Sequence, residues 1–175
     1  LRAALAAKGV RLVDAAEIDG KVLKGRTPVM FSGASRSSWP RVSDGHKAEV
    51  VDAIEEALAR LDPKEVVVVT GGTNFGVNAV VHEIAKRRGF TSLGLFADTA
   101  SSAPRDIGPV TYAAEMGNSW YGMARPALQF VSRANGVVLF IGGGEIQKGM
   151  IQMARSMGVD HWLMDGPEGA SSELA

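Results

Sequence analysis

The sequence predicts an α/β protein, a three-layer Rossmann-like sandwich with helices on both faces of a mostly parallel sheet. Three apolar runs, at residues 29–31, 66–69 and 137–141, lack polar alternation, which is typical of strands that are buried on both faces. Each run ends in a glycine-rich turn, and each turn leads, directly or after a polar loop, into a helical pattern. Strands that alternate with helices in this way indicate parallel units joined by right-handed crossovers.

The sandwich is expected to span residues 27–165, after an N-terminal arm or linker at 1–26 and before a tail at 166–175. The absence of an initiator Met and the open-ended tail predict a module of a longer chain, fused to other domains. In the arm, Asp19-Gly20 is a favoured tight turn between two short apolar runs, and it predicts a small hairpin. The remaining elements are predicted as helices around Val50–Leu61, Val77–Arg88, Met123–Arg133 and Ile146–Met157, and as strands at Leu93–Phe96, Val110–Ala114 and His161–Met164.

Composition narrows the possible functions. Hydrophobic residues make up 46% of the 175 residues, which is enough for a sizeable core. The 19 basic residues balance the 19 acidic ones, which argues against binding to nucleic acid or to an anionic membrane. There is no Cys and the His residues are far apart, so we expect neither a metal site nor a resident cofactor. No secretory signal or membrane-spanning run is visible, which makes the cytoplasm the default location.

The glycine turns form the candidate ligand-binding site. Ligands of parallel sheets bind beyond the carboxyl ends of the strands, where glycine exposes the backbone and helix N-termini favour phosphate. For any single turn, the alternative is that glycine serves only a tight connection. Aromatic residues such as Trp39 and Trp120 either stack on a base or pack over the sheet end. The candidate ligand-binding residues are Gly33, Ala34, Ser35, Arg36, Gly71, Gly72, Thr73, Asn74, Gly76, Asn118, Trp120, Gly142, Gly143 and Gly144.

Two common nucleotide-binding motifs do not match these turns. A dinucleotide fingerprint requires G-x-G-x-x-G, which residues 72–76 lack, and a P-loop requires a Lys at a spacing that Lys148 does not have. His82 lies within a predicted helix, and we interpret it as structural or solvent-facing.

The order of elements and turns resembles the SLOG superfamily, which includes the Lonely Guy phosphoribohydrolases, lysine-decarboxylase-like proteins and molybdenum-cofactor carriers. The resemblance covers residues 29–164. The turn at 33–36 is similar to the family's G-[SA]-[SR] turn, and residues 71–76 are similar to its GG-x-x-x-G turn. Residues 137–144 resemble the strand that runs into P-G-G-x-G-T-x-x-E. Arg125 stands where the Lonely Guy enzymes carry an arginine at a helix start.

The third turn departs from the family pattern where the enzymes carry a catalytic Glu, because Gly149 or Met150 falls at that position. The resemblance therefore implies binding or sensing of a nucleotide-derived ligand, such as a nucleoside phosphate, ADP-ribose or a cyclic derivative, or a nucleotide sugar. The predicted role is that of a regulatory module. The alternative is hydrolysis of an N-glycosidic bond, with Glu145 and Arg125 as catalytic residues. Like other members of the superfamily, the chain is also predicted to form a homo-oligomer.

Overall fold

The computed structural model describes residues 1–34, 38–97, 103–119 and 122–164. Its centre is a seven-stranded sheet in which every pair of neighbouring strands is parallel. The predicted α/β sandwich is therefore confirmed, and the sheet is parallel throughout. The strands are β1 (Arg11–Val13), β2 (Thr27–Gly33), β3 (Val66–Thr70), β4 (Ser92–Phe96), β5 (Tyr112–Glu115), β6 (Val137–Ile141) and β7 (His161–Met164).

The strand order is β1-β5-β4-β3-β2-β6-β7. The three strands that end in glycine turns, β3, β2 and β6, are therefore neighbours, and their turns lie side by side at one edge of the sheet. The chain moves outward in one direction from β2 through β3, β4 and β5, and in the other direction from β6 to β7. The reversal lies between β2 and β6, which is the point where ligands bind in sheets of this kind.

Helices cover both faces of the sheet. Ser43 caps the first long helix, because its hydroxyl accepts a hydrogen bond from the His46 N–H at 3.2 Å. The last helix ends at Gly158, whose φ of +67° is the left-handed conformation that glycine adopts without strain. The helices are α1 (Arg2–Ala6), α2 (Asp44–Ala59), α3 (Gly76–Arg87), α4 (Ala103–Asp106), α5 (Ala124–Arg133) and α6 (Glu145–Met157), with short 3₁₀ turns at Ala15–Glu17 and Trp39–Arg41. No helix in the described ranges is long and apolar enough to cross a bilayer.

Successive residues of each central strand pack into different cores, because side chains alternate between the two faces of a sheet. Met30 packs with residues of α5 and α6 on one face. Val29 and Phe31 pack with residues of α2 and α3 on the other face. The connection after β2 therefore leads to one layer, and the connection after β6 leads to the other. In sheets of this kind, connections that diverge in this way leave a crevice between the strand ends. We call the region between the ends of β2 and β6 the β2/β6 crevice.

The N-terminal segment joins the same sheet, because β1 pairs with β5 along the sheet edge. The predicted hairpin is wrong: Ile18–Leu23 forms a π-helical turn. Ile18, Val22 and Leu23 are all buried in the core that β2 shares with α5 and α6, and this burial outweighs the turn preference of Asp19-Gly20. The strand predicted at Val110–Ala114 is observed at Tyr112–Glu115, so it begins two residues later and ends one residue later. The predicted tail at 166–175 lies outside the described residues.

Candidate functional site at the carboxyl ends of the central strands

The first glycine turn closes tightly against its neighbours. A Cβ on Gly33 would lie 2.7 Å from the Ile141 carbonyl oxygen and 2.8 Å from Val77 Cγ2, so a side chain cannot be accommodated there. Ala34 is buried, and its carbonyl accepts a hydrogen bond from the Val77 N–H at 3.0 Å. The end of β2 is thus fixed to the first turn of α3. The next two candidates, Ser35 and Arg36, lie outside the described residues.

The second glycine turn uses much of its hydrogen-bonding capacity inside the protein. The Gly72 N–H donates to the Thr70 hydroxyl at 3.0 Å, and the Gly72 carbonyl accepts from the Gly108 N–H at 2.8 Å. The Asn74 N–H donates to the Asp106 carbonyl, also at 2.8 Å. The segment before β5 therefore covers this turn: it accepts from one backbone donor of the turn, the Asn74 N–H, and donates to the Gly72 carbonyl.

Contacts within the protein explain the remaining features of the second turn. Gly72 has a φ of +79°, and a Cβ on it would lie 3.2 Å from the Gly94 Cα of β4. The Thr73 hydroxyl accepts a hydrogen bond from the Asn78 side-chain amide at 3.1 Å. Gly71 faces that same amide, with 3.1 Å between it and an added Cβ. Asn74 and Gly76 remain at the rim, where they line an open cavity.

His82 lies beneath the second turn and is fully buried. Its Nε2 is 2.6 Å from the Thr70 hydroxyl, while its Nδ1 has no hydrogen-bond partner in the described structure. Burial lowers the pKa of the imidazole to about 4, so the ring is neutral at neutral pH. A Cβ on Gly108 would lie 2.5 Å from Nδ1, which shows how closely the covering segment packs on the ring. The geometry therefore supports a structural role for His82, and the side chain does not face solvent.

The third glycine turn contacts a residue that the sequence patterns did not indicate. Gln147 lies in the first turn of α6 and is 6% exposed. Its side chain accepts a hydrogen bond from the Ser32 hydroxyl at 2.6 Å and donates to the Ser32 carbonyl at 2.7 Å. A Cβ on Gly143, where φ is +91°, would lie 2.5 Å from Gln147 Cβ. Gln147 thus bridges α6 to β2 at the base of the β2/β6 crevice.

The N-terminus of α6 leaves backbone donors at the β2/β6 crevice. The helix has 13 residues, and its first intrahelical bond runs from the Lys148 N–H to the Gly144 carbonyl at 3.0 Å. The N–H groups of the three preceding residues have no acceptor within the helix. Gly144 is the N-cap and supplies no side chain to satisfy them. Unsatisfied N–H groups at the positive end of a helix dipole favour an anion.

The two residues named for catalysis are both exposed, Glu145 in the first turn of α6 and Arg125 in the first turn of α5. No hydrogen bond or ion pair in the described structure joins them. Asn118 is exposed in the turn between β5 and α5, and Trp120, in the same turn, lies outside the described residues. Within the described ranges, no group of three or more His, Asp or Glu side chains is arranged to hold a metal ion.

An open cavity of about 700 Å³ begins at the rim of the second turn. Asn74 and Gly76 line it at the start of α3, and Trp39 and Pro109 form its sides. The Trp39 ring is half-buried and has the Lys47 ammonium 5.8 Å from its centroid. The cavity is large enough for a drug-sized ligand and offers one aromatic face.

Comparison with known proteins identifies similar folds. No protein-family model matches the chain, and no curated protein matches it in sequence. The molybdenum cofactor binding protein of Rippkaea orientalis aligns with a TM-score of 0.65 and 17% identity, over 85% of this chain and 82% of that chain. The X-ray structure of TM1055 aligns with a TM-score of 0.62 and 20% identity, over 85% and 79%. At these identities the likeness concerns the fold alone, which is the parallel α/β, Rossmann-like architecture described above.

Proposed function

We propose that this protein binds a phosphate-bearing heterocyclic ligand derived from a nucleotide at the β2/β6 crevice. The observation that carries the proposal is the uncapped N-terminus of α6, which lies where the sheet reverses direction. A phosphate there accepts hydrogen bonds from the N–H groups of Glu145, Ile146 and Gln147. The ligand class comprises nucleoside phosphates, ADP-ribose and its cyclic derivatives, and nucleotide sugars.

The exposed side chains around this N-terminus suit the rest of such a ligand. Glu145 presents a carboxylate beside the phosphate position, and a carboxylate accepts hydrogen bonds from ribose hydroxyls. Arg125 lies in the first turn of the neighbouring helix α5 and supplies a planar donor for a second phosphate. The cavity beside Asn74 and Trp39 has no α6 residue in its described lining, and it offers an aromatic surface to a heterocycle that extends from the crevice towards the start of α3. Glycine at positions 142–144 keeps side chains away from the phosphate position.

A similar structure also supports a small-molecule role. The protein from Rippkaea orientalis is described as a molybdenum cofactor binding protein, and it shares the fold over most of both chains. We therefore test that cofactor beside the nucleotide-derived ligands. We further propose that binding serves a sensing function. The Glu of the enzymes that this sequence resembles is absent from the third turn, and no hydrogen bond or ion pair in the described part of the chain joins Glu145 to Arg125.

The test uses a matched pair of variants at the N-cap of α6. Gly144 has a φ of −97° and a ψ of −150°, which Asn and Asp adopt without strain. Both Gly144→Asn and Gly144→Asp cap the helix, but only Asp adds a negative charge at the phosphate position. We expect a thermal-shift and calorimetry panel to identify a ligand that stabilises the parent chain. Gly144→Asp should lower the affinity for that ligand at least about tenfold more than Gly144→Asn does.

Several outcomes would contradict the proposal. Equal affinities for the two Gly144 variants would place the phosphate elsewhere, and a panel without any binding ligand would leave no support for this ligand class. The same incubations, followed by chromatography, measure release of the free base. Base release that is abolished by Glu145→Gln would contradict sensing and support hydrolysis of an N-glycosidic bond. An intact ligand supports sensing.

A further inference from the structure

A second cavity, of about 630 Å³, lies along β1 at the edge of the sheet. Four cationic side chains line it, together with the Tyr112 ring, and no Asp or Glu contributes to its described lining. The whole chain has equal numbers of basic and acidic residues, so this concentration of positive charge is local. The cationic residues are Arg2, Arg11, Lys21 and Lys24. We call this cavity the β1 groove.

The π-helical turn Ile18–Leu23 contributes Gly20 and Lys21 to one side of the β1 groove. A π-helix is rare and occurs frequently at functional sites. The Arg26 guanidinium fixes its end by donating to the Val22 carbonyl at 2.7 Å and to the Leu23 carbonyl at 3.0 Å. Lys24 follows with a φ of +50°, a conformation that a lysine adopts only against strain. The structure thus holds a charged residue at the groove where glycine or asparagine is favoured.

The two arginines of the groove are also held in position. The Arg11 guanidinium lies 4.9 Å from the centroid of the Tyr112 ring. Arg2 donates through Nη1 to the Leu12 carbonyl at 2.9 Å, which satisfies a backbone acceptor on the outer side of β1. An added peptide strand would need that acceptor, so the contact disfavours strand addition. The Glu17 carboxylate lies within electrostatic reach of Arg2, whereas the described partner of the Arg11 guanidinium is an uncharged ring.

We infer that the β1 groove is a separate binding site for a small molecule that carries two or more phosphate groups. Lys21 forms an ion pair with Glu17, which leaves a net charge of about +3 for the four cations and this carboxylate. Arg11 and Lys24 have no carboxylate partner in the described structure, so they are available to an anion. β1 lies four strand positions from β2, about 19 Å away, and the site is distinct from the β2/β6 crevice.

Inorganic tripolyphosphate is the probe that tests this inference. Calorimetry of the full chain measures its affinity, and amide chemical shifts show where it binds. The variant pair Arg11→Gln with Lys24→Asn removes two charges, and Asn tolerates the left-handed conformation at position 24. The control pair Arg60→Gln with Lys64→Gln removes two exposed charges elsewhere. We expect at least about tenfold weaker binding for the first pair and less than about twofold change for the control.

Binding of tripolyphosphate in the β1 groove should change the chemical shifts of a specific set of amides. Amides of residues 9–13 and 20–24 should move on titration, and they should move equally in Gly144→Asp, because that variant alters only the β2/β6 crevice. Equal weakening by the two variant pairs would mean diffuse attraction and would overturn the inference. Shifts confined to the start of α6, or no binding at millimolar tripolyphosphate, would also overturn it. None of these results depends on whether a nucleotide-derived ligand binds at the crevice.

Discussion

Stability should depend on pH through the buried imidazole of His82. The side chain is inaccessible to solvent, and burial lowers its pKa from 6.5 to about 4. In the unfolded chain the ring is hydrated and titrates near its ordinary pKa. Between these two pKa values the unfolded state binds more protons than the folded state, so the free energy of unfolding rises with pH. The contribution is complete above about pH 6.5 and is lost as the pH falls towards 4.

The size of the effect follows from the two pKa values of His82. A shift from 6.5 to about 4 corresponds to about 3 kcal/mol when the loss is complete. About 2 kcal/mol is already lost at about pH 5, where most Asp and Glu side chains are still ionised. Urea unfolding of the parent and of His82→Gln, at about pH 7.5 and about pH 5, isolates this contribution. Gln offers an amide nitrogen near the position of Nε2 and does not titrate.

When the pH falls from about 7.5 to about 5, the free energy of unfolding of the parent chain should decrease by about 2 kcal/mol more than that of His82→Gln. Thr70→Val is the control, because it removes the hydroxyl that bonds to His82 but leaves the ring buried. Burial is the cause of the lowered pKa, so this variant should lose stability at both pH values and keep the parent's pH dependence. The same pH dependence in the parent and in His82→Gln would refute the reasoning.

Three further variants test the packing around the site by urea unfolding. Gly72→Ala should lower the free energy of unfolding by about 2–3 kcal/mol, because φ at this position is +79° and the new Cβ would lie 3.2 Å from Gly94 Cα. A decrease of less than about 1 kcal/mol would contradict this. Gln147→Met should lower the free energy of unfolding by about 2 kcal/mol, since it removes two hydrogen bonds to Ser32. An unchanged urea midpoint would contradict this and show that water replaces these hydrogen bonds. Gly149→Ala should raise the free energy of unfolding by about 0.5–1 kcal/mol, because Ala favours a helix more than Gly does and the added Cβ meets no neighbouring element within 4 Å. A decrease in the free energy of unfolding would contradict this.

The fold was predictable where hydrophobic patterning is strong and local. Continuous apolar runs predicted β3 and β6, and apolar residues at helical spacing predicted α2, α3 and α6. The N-terminal segment was less predictable, because the fate of Val22 and Leu23 depends on a core built from residues distant in sequence. Asp19-Gly20 is a good hairpin turn by itself, but the burial of three apolar side chains selects the π-helical turn.

The placement of the three glycine turns at one edge of the sheet was predictable, and their contacts were less so. Parallel strands that end in glycine turns must present those turns at one edge, and the observed order β3-β2-β6 makes them neighbours. Gln147 could not be identified, because its partner Ser32 is 115 residues away and no local pattern links them. Nor could the sequence show that residues 106–108 would form backbone hydrogen bonds with Gly72 and Asn74 of the second turn. Both contacts depend on how the connections after the strands fold back.

The glycines of the three turns differ in what requires them, and this difference identifies the strongest candidate position. Gly33 and Gly72 face neighbouring protein atoms, and Gly143 faces the Gln147 side chain, so packing alone explains their lack of a Cβ. Gly144 has an ordinary extended conformation at a helix N-cap, where Ser, Asp or Asn would stabilise the helix. Its backbone conformation does not require glycine. Glycine there leaves the first N–H groups of α6 without a side-chain cap, as a ligand that binds through those groups requires.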